Sequence, residues 1–159
     1  MMRAFALLMM ALYALGTPQR GNLYDPQADA MAALDQAVAM AQSQGKHVLV
    51  QVGGNWCPWC IRLHDFMEAN SEVKSYLAEN YVVVRVNYSK ENKNAEVLGR
   101  LGNPQRFGFP VLVVLNTEGA RIHTQDTGLL ESGDGYDAKK VLAVLKGWSR
   151  AGCGLAERR

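Results

Sequence analysis

Two cysteines separated by two residues are the feature of this sequence with the clearest chemistry. Cys57 and Cys60 lie in the segment 56–60 (WCPWC), between a valine-rich run at 47–52 and a stretch with helical periodicity. A thiol at the start of a helix lies close to unpaired backbone N–H groups, which favour the thiolate. Such a pair can close a small disulfide or exchange with a disulfide in another protein. The spacing and its context predict a thiol–disulfide exchange site.

The two cysteines are expected to have different tasks. Cys57 is the candidate nucleophile, because only a thiolate attacks a disulfide at useful rates. Cys60, one turn into the helix, is expected to be less exposed and to release the product by attacking the mixed disulfide. Trp56 and Trp59 are expected to offer substrate an apolar surface around the sulfurs, with packing against the fold an equal alternative for Trp56. An inert structural disulfide and metal ligation are the alternatives for the cysteine pair.

No cofactor and no metal is expected at this motif. His64 shares a helix face with Cys60, so a metal site here would have these two residues and Cys57 as three of its ligands. The sequence offers no evident fourth ligand and no second CxxC, and His64 is interpreted as a partly buried structural residue. Ile61 stands where covalent haem attachment requires histidine. The third cysteine, Cys153, is interpreted as an unpaired thiol, with intermolecular pairing as the alternative.

The composition and the N-terminal apolar run limit the classes of protein to which this sequence can belong. The 159 residues are 48% hydrophobic and 20% charged, with a net charge of +2, which is typical of a single globular domain. The basic residues are scattered, so nucleic acid is not an expected partner. The apolar run at 4–15 is shorter than the roughly 20 residues of a bilayer span. Residues 1–16 therefore resemble a secretory signal, the alternatives being an uncleaved anchor or a buried helix. Export predicts a periplasmic or secreted protein in an oxidising compartment.

Residue patterns along the chain predict an alternation of strands and helices. Residues 17–24 are interpreted as a polar linker, 25–150 as the domain and 151–159 as a flexible tail. A helix is expected from Asp25 to Gly45, where glycine ends it. Four strands are expected, at 48–52, 81–87, 111–115 and 120–125, with a turn at 116–119 between the last two. The remaining helices are expected at 58–70, from 71 onward, at 91–101 and at 137–150.

This order, with WCxxC at the end of the first main strand, resembles the thioredoxin superfamily over about residues 45–150. The run from Cys60 to 87 is similar to the secreted, thioredoxin-like branch with an extra helix after the site. The resemblance implies an α/β protein with the thioredoxin fold. A central four-stranded mixed sheet is expected, flanked by helices and preceded by an extra N-terminal helix.

The resemblance also implies roles for individual residues. Phe109 and Pro110 precede the third core strand, where the family carries a cis-proline whose loop helps to dock the substrate's extended backbone. One position departs from the family pattern. The family's buried acid, six residues before the first cysteine, is here Gln51, which cannot take up a proton at neutral pH. We expect that a water or another group assists Cys60, or that resolution of the mixed disulfide is slower.

The residues and the resemblance together predict an exported oxidoreductase that reduces or isomerises protein disulfides. A reductive enzyme needs an electron donor, for which a membrane thiol relay is expected. A disulfide oxidase of the same fold is one alternative. The other is a non-catalytic module that binds peptides through the surface of Trp56 and Trp59. The sequence does not indicate the oligomeric state or the substrate.

Overall fold

The computed structural model describes residues 22–156, and side chains as far as 154. The secretory signal expected at 1–16 and most of the linker expected at 17–24 lie outside the described residues. Within residues 22–156, no helix is long and apolar enough to cross a membrane.

A four-stranded mixed sheet forms the centre of the domain. Its strands lie in the order β2 (Tyr81–Asn87), β1 (His47–Gly53), β3 (Val111–Leu115) and β4 (Arg121–Asp126). β1 pairs in parallel with β2 and antiparallel with β3, and β3 pairs antiparallel with β4. Every residue of β1 and β3 is buried, as expected for mainly apolar strands in the middle of a sheet that helices cover on both faces. The predicted mixed sheet is confirmed.

Helices cover the two faces of the sheet. α1 (Ala30–Gln44) and the short α4 (Ala95–Arg100) pack on one face, against alternate residues of β1 such as Val50. α2 (Pro58–Ala69), α3 (Ser71–Asn80) and α5 (Ala138–Trp148) pack on the other face, around Leu49. Because side chains alternate along a strand, Gln51 faces the same side as Leu49, where α2 lies. The additional helix before β1 is confirmed.

Two helices begin later than the sequence predicts. Asp25 does not cap α1; its carboxylate accepts a hydrogen bond from the N–H of Gln27 at 2.8 Å and closes a local turn. The N-cap is Asp29, whose carboxylate accepts from the N–H of Ala32 at 2.9 Å. α4 was expected from residue 91, but Asn94 has a left-handed backbone and donates from its side chain to Asn87 O at 2.7 Å. That bond keeps the preceding residues in a loop.

The C-terminal third contains elements that the sequence did not predict. Between β4 and α5 lie a 3₁₀ turn at Thr127–Leu130 and a small hairpin of β5 (Glu131–Ser132) and β6 (Gly135–Tyr136). The helix expected at 137–150 is α5, which ends at Trp148. A further helix, α6 (Arg150–Ala156), follows it where a flexible tail was expected from residue 151. The break has a local cause, because the Ser149 hydroxyl accepts from the N–H of Gly152 at 3.1 Å and so starts a new helix.

Candidate active site

The turn from β1 into α2 places the two cysteines. Cys57 is the N-cap of α2, and its sulfur accepts a hydrogen bond from the N–H of Cys60 at 3.2 Å. Pro58 is the first helical residue, a position where its missing N–H costs nothing. The two cysteines form a disulfide, with their Cα atoms 5.3 Å apart. Cys57 is 4% exposed and Cys60 is fully buried, so the order of exposure agrees with the prediction.

A cis-proline lies beside the disulfide. The Phe109–Pro110 peptide bond is cis, as the resemblance implied. The carbonyl of Pro110 accepts a hydrogen bond from the Thr127 hydroxyl, which ties this loop to the 3₁₀ turn after β4. The ring of Phe109 packs against the cluster that contains Cys57. The structure therefore brings Phe109, Pro110 and the cysteines together.

Three aromatic rings, those of Trp56, Tyr88 and Phe109, form what we call the aromatic surface. The indole N–H of Trp56 donates to Tyr88 O at 2.6 Å, and the Trp56 ring meets the edge of Phe109 at 5.6 Å between centroids. The Tyr88 ring stacks on Phe109 at 4.7 Å. Trp56 is nevertheless 56% exposed. The indole is thus anchored at one end while more than half of the residue is exposed to solvent.

Trp59 also packs against the cysteine cluster and is half-buried. Its ring meets that of Tyr136 edge-on at 5.6 Å, and the guanidinium of Arg62 lies 4.8 Å from the centroid of the indole. The Tyr136 hydroxyl donates to Trp59 O at 3.4 Å, and burial raises the pKa of this tyrosine to about 12. Sequence reasoning did not assign Arg62 to the site, although its three-residue spacing from Trp59 places the two on one helix face.

Tyr24 lies buried behind the disulfide, and the sequence analysis missed it. The residue is 1% exposed and packs with Cys57 and Cys60 in one cluster. Its N–H donates to Asn55 Oδ1 at 3.0 Å, and its carbonyl accepts from Asn55 Nδ2 at 2.7 Å. These two bonds attach the segment 22–24 to the loop before Cys57. Residues 22–24 therefore belong to the packed domain and not to a linker. A single tyrosine in a polar segment has no periodicity that would predict this.

A group of buried polar atoms surrounds the hydroxyl of Tyr24. Tyr24 Oη, Gln51 Oε1 and Arg85 Nε are all buried and have no hydrogen-bond partner within the described residues. The amide nitrogen of Gln51 donates to Cys60 O at 3.1 Å, and Gln51 pairs with Arg85 across β1 and β2. Burial raises the pKa of Tyr24 well above its usual range, while the charge of Arg85 and the nearby Gln51 side chain act in the opposite sense.

His64 is held by the same arginine. Arg85 Nη2 lies 2.9 Å from His64 Nδ1, and because a guanidinium can only donate, this nitrogen is the acceptor. Burial, followed by the positive charge of Arg85, lowers the pKa of His64. The Nδ1 atom of His64 is therefore occupied by the hydrogen bond from Arg85, which agrees with the interpretation of His64 as a structural residue. Over the range 22–156, no three His, Cys, Asp or Glu side chains are placed to hold a metal ion.

Comparisons with known proteins agree with this geometry. Residues 29–117 match a family model described as thioredoxin-like. Disulfide bond reductase DsbH of Chlamydia pneumoniae is 27% identical over 118 residues, which are 69% of this chain and 70% of that protein. Thiol:disulfide interchange protein DsbD of Klebsiella pneumoniae is 26% identical over 140 residues, which are 86% of this chain but only 22% of that protein.

A solved structure supports the same assignment. The disulphide isomerase from Xylella fastidiosa Temecula1 superposes with a TM-score of 0.68 at 26% identity, over 83% of this chain and 96% of that chain. This superposition, with the sheet and flanking helices described above, confirms the thioredoxin fold. The chain therefore belongs to the thioredoxin-like family, and its Cys57–Cys60 pair has the CxxC spacing of the disulfide oxidoreductases in that family.

Proposed function

We propose that this chain is an exported thiol–disulfide oxidoreductase that reduces or isomerises disulfides in other proteins. The observation that carries the proposal is the position of Cys57 as N-cap of α2, with its sulfur accepting the N–H of Cys60. That arrangement stabilises a thiolate at the sulfur that must attack first. Similarity to proteins named as a disulfide bond reductase and a disulphide isomerase supports this direction of exchange.

The reaction takes place in two exchanges. The Cys57 thiolate attacks one sulfur of the substrate disulfide, a mixed disulfide forms, and the other substrate sulfur leaves as a thiolate and takes up a proton. Cys60 then attacks Cys57 Sγ, the Cys57–Cys60 bond forms, and the second substrate thiolate departs. The substrate has gained two electrons and two protons, and the cysteine pair is left oxidised, as the structure shows it.

The surroundings of the disulfide suit an extended polypeptide as the substrate. Phe109, which precedes Pro110, and Trp59 both pack against the cysteine cluster, and the exposed ring of Trp56 contacts Phe109. Apolar rings next to the sulfurs favour substrate segments with apolar side chains beside the cysteine. We assign substrate binding to these four residues.

Repeated turnover in the reducing direction needs a thiol donor that returns two electrons to the pair. A membrane thiol relay fits an enzyme that works in a periplasmic or secreted setting, where soluble thiol buffers do not keep cysteines reduced. The apolar run at 4–15 in the sequence supports export.

Substitution of single cysteines tests the proposal. We expect Cys57→Ser to abolish the acceleration of insulin reduction by dithiothreitol, followed as turbidity, because the other sulfur of α2, that of Cys60, is fully buried. Cys153→Ser is the matched control, since it also removes one thiol but from α6, and it should retain full activity. Full activity of Cys57→Ser would refute the assignment.

Equilibration with glutathione decides the direction of exchange. The fraction of the Cys57–Cys60 pair that is oxidised can be read from the fluorescence of Trp56 and Trp59. A reductase is expected near about −270 mV, whereas a value near about −120 mV would identify a disulfide donor. The second result would contradict the reducing direction while leaving the oxidoreductase assignment intact.

A further inference from the structure

We propose that Tyr24 serves the second exchange, by donating a hydrogen bond from its hydroxyl to the sulfur of Cys60 when that sulfur is a thiolate. The inference rests on the proposed function, since it concerns the step in which Cys60 resolves the mixed disulfide. It identifies which group assists Cys60 in a chain that has Gln51 at the position of the family's buried acid.

The location of Cys60 creates the need for such a group. The residue is fully buried, and burial disfavours the charged thiolate relative to the neutral thiol. Gln51 lies next to Cys60, but its amide nitrogen donates to Cys60 O at 3.1 Å and its free oxygen can only accept. One N–H of the amide remains, but an amide cannot take up a proton at neutral pH, so Gln51 does not replace the acid.

The geometry around Gly53 places the Tyr24 hydroxyl beside this sulfur. A Cβ atom on Gly53 would press against Cys60 Sγ and would lie 2.9 Å from Tyr24 Oη. The sulfur and the hydroxyl therefore border the same small space, which stays open because residue 53 has no side chain. In the disulfide form the hydroxyl is buried and makes no hydrogen bond of good geometry within the described residues, although the Gln51 side chain lies close to it. A thiolate is a much better acceptor than a disulfide sulfur, and hydrogen bonds to charged groups are the stronger ones.

The protonation state of Tyr24 suits a donor. Burial holds the pKa of its hydroxyl far above neutral pH, so the phenol keeps its proton during the reaction and does not act as a base. Arg85 contributes a positive charge on the same side, which also favours a thiolate. The other titratable groups around this site are Cys57, Tyr136 and, through its bond to Arg85, His64.

Asn55 holds the tyrosine in place. Its side chain makes two hydrogen bonds to the backbone of Tyr24, at 3.0 and 2.7 Å, from a position two residues before Cys57. The side chain of Asn92 donates to Pro26 O at 3.0 Å and secures the segment further along. The hydroxyl is thus fixed relative to the cysteines by bonds that do not involve its own ring.

The assisted step balances without a further reactant. The Cys60 thiol loses its proton to solvent, and its sulfur forms a bond to Cys57 Sγ while the bond from Cys57 to the substrate breaks. The departing substrate sulfur carries away the electron pair and takes up a proton. Tyr24 stabilises the charge on Cys60 before the bond forms, and its own proton stays in place.

The direct test is the pKa of Cys60 with and without the hydroxyl. In a Cys57→Ser, Cys153→Ser background Cys60 is the one cysteine left, and the ¹³C shift of its labelled Cβ reports ionisation. We expect Tyr24→Phe to raise the pKa of Cys60 by about one to two units, the size of a lost hydrogen bond to a charged group. An unchanged Cys60 pKa would overturn the proposal.

Kinetics of the two exchanges supply the second readout. With both cysteines present, we expect Tyr24→Phe to leave the attack by Cys57 within twofold of wild type. Release of the mixed disulfide should slow about three- to tenfold at neutral pH, because a smaller thiolate fraction is partly offset by a more nucleophilic sulfur. Equal release rates would also refute the role of Tyr24. If the wild-type chain performed no exchange at all, the proposed function would fail first.

Two further variants separate this role from a structural one. Tyr81→Phe removes another buried hydroxyl, one that donates to Leu145 O at 2.7 Å, and it should destabilise the domain without affecting release. Tyr24→Phe removes a hydroxyl that makes no hydrogen bond of good geometry within residues 22–156, so its urea midpoint in the disulfide form should not fall. Asn55→Ala keeps the hydroxyl but frees the backbone of Tyr24, and it should slow release in the same direction. If both single variants, Asn55→Ala and Tyr24→Phe, released the mixed disulfide at the wild-type rate, the inference would be contradicted.

Discussion

Gly53→Ala is the substitution that most directly probes the packing behind the disulfide. Gly53 ends β1, and its backbone lies outside the left-handed region, so alanine is compatible with the conformation. The added methyl group is not compatible with the space. It would press against Cys60 Sγ and lie 2.9 Å from Tyr24 Oη and 3.1 Å from Tyr24 Cζ. The effect of the substitution is therefore steric.

The size of the loss follows from how firmly the two neighbours are held. Cys60 is fixed by the disulfide and by α2, so the Tyr24 side chain is the group that must move. A small shift corresponds to an overpacked core and costs about 1–3 kcal/mol. Complete expulsion of the ring sets the upper bound, near the ~3–5 kcal/mol of deleting a buried aromatic side chain. We expect a loss of about 1–3 kcal/mol in the free energy of unfolding.

Urea unfolding of the oxidised protein measures this loss, and Gly99→Ala provides the matched control. Gly99 lies in α4, and beyond its chain neighbours and its own helix backbone no atom of the described residues lies within 4 Å of an added Cβ. Alanine there should stabilise the protein by roughly 0.5–1 kcal/mol, because glycine is unfavourable within a helix. The two variants should therefore change stability in opposite directions. A Gly53→Ala protein as stable as Gly99→Ala would refute the close packing of Tyr24 against Cys60.

Two further predictions concern the aromatic surface and His64. Trp56→Ala should raise KM for a peptide disulfide by about tenfold or more with a smaller change in kcat, since it removes a large exposed ring from the proposed binding surface. The control is Met40→Ala, which removes an exposed apolar side chain from α1 and should leave the steady-state kinetics unchanged. His64→Gln should flatten the pH dependence of stability. The pKa of His64 is lower in the folded state than its ordinary value of 6.5, so the wild type has its full stability above pH 6.5 and loses part of it as pH falls through the folded pKa. Equal losses between pH 7.5 and 5 for wild type and His64→Gln, measured by urea unfolding, would contradict this assignment.

Local patterns in the sequence account for the sheet and for the cysteine site. The valine-rich runs of β2 and β3 predict those strands at the residues where they occur, because β-branched side chains favour strands. The run of β3 is also unbroken, as a strand buried on both faces requires. The position of Cys57 at the start of α2 could be predicted for a related reason. Pro58 has no N–H to donate and marks the first turn of a helix. These features depend on residues within a few positions of one another.

The features that the sequence did not predict depend on contacts between distant segments. Tyr24 is placed by Asn55, 31 residues away, through bonds between its backbone and a side chain. Such bonds leave no periodicity, and a polar segment with one tyrosine resembles a linker. Arg85 was visible as one charge within a strand, but its bond to His64 crosses from β2 to α2. The unpaired polar atoms behind Cys60 arise only when these segments pack together.

The attachment of Tyr24 also bears on where this protein can be shortened. The match to the family model begins at residue 29, and the helical pattern in the sequence begins at Asp25. A recombinant fragment cut at either place would keep the sheet and both cysteines. It would nevertheless lack the ring that fills the space beside Cys60, and water could enter there. Rates and potentials from such a fragment would describe an altered site, so fragments for enzymology should begin at residue 22 or earlier.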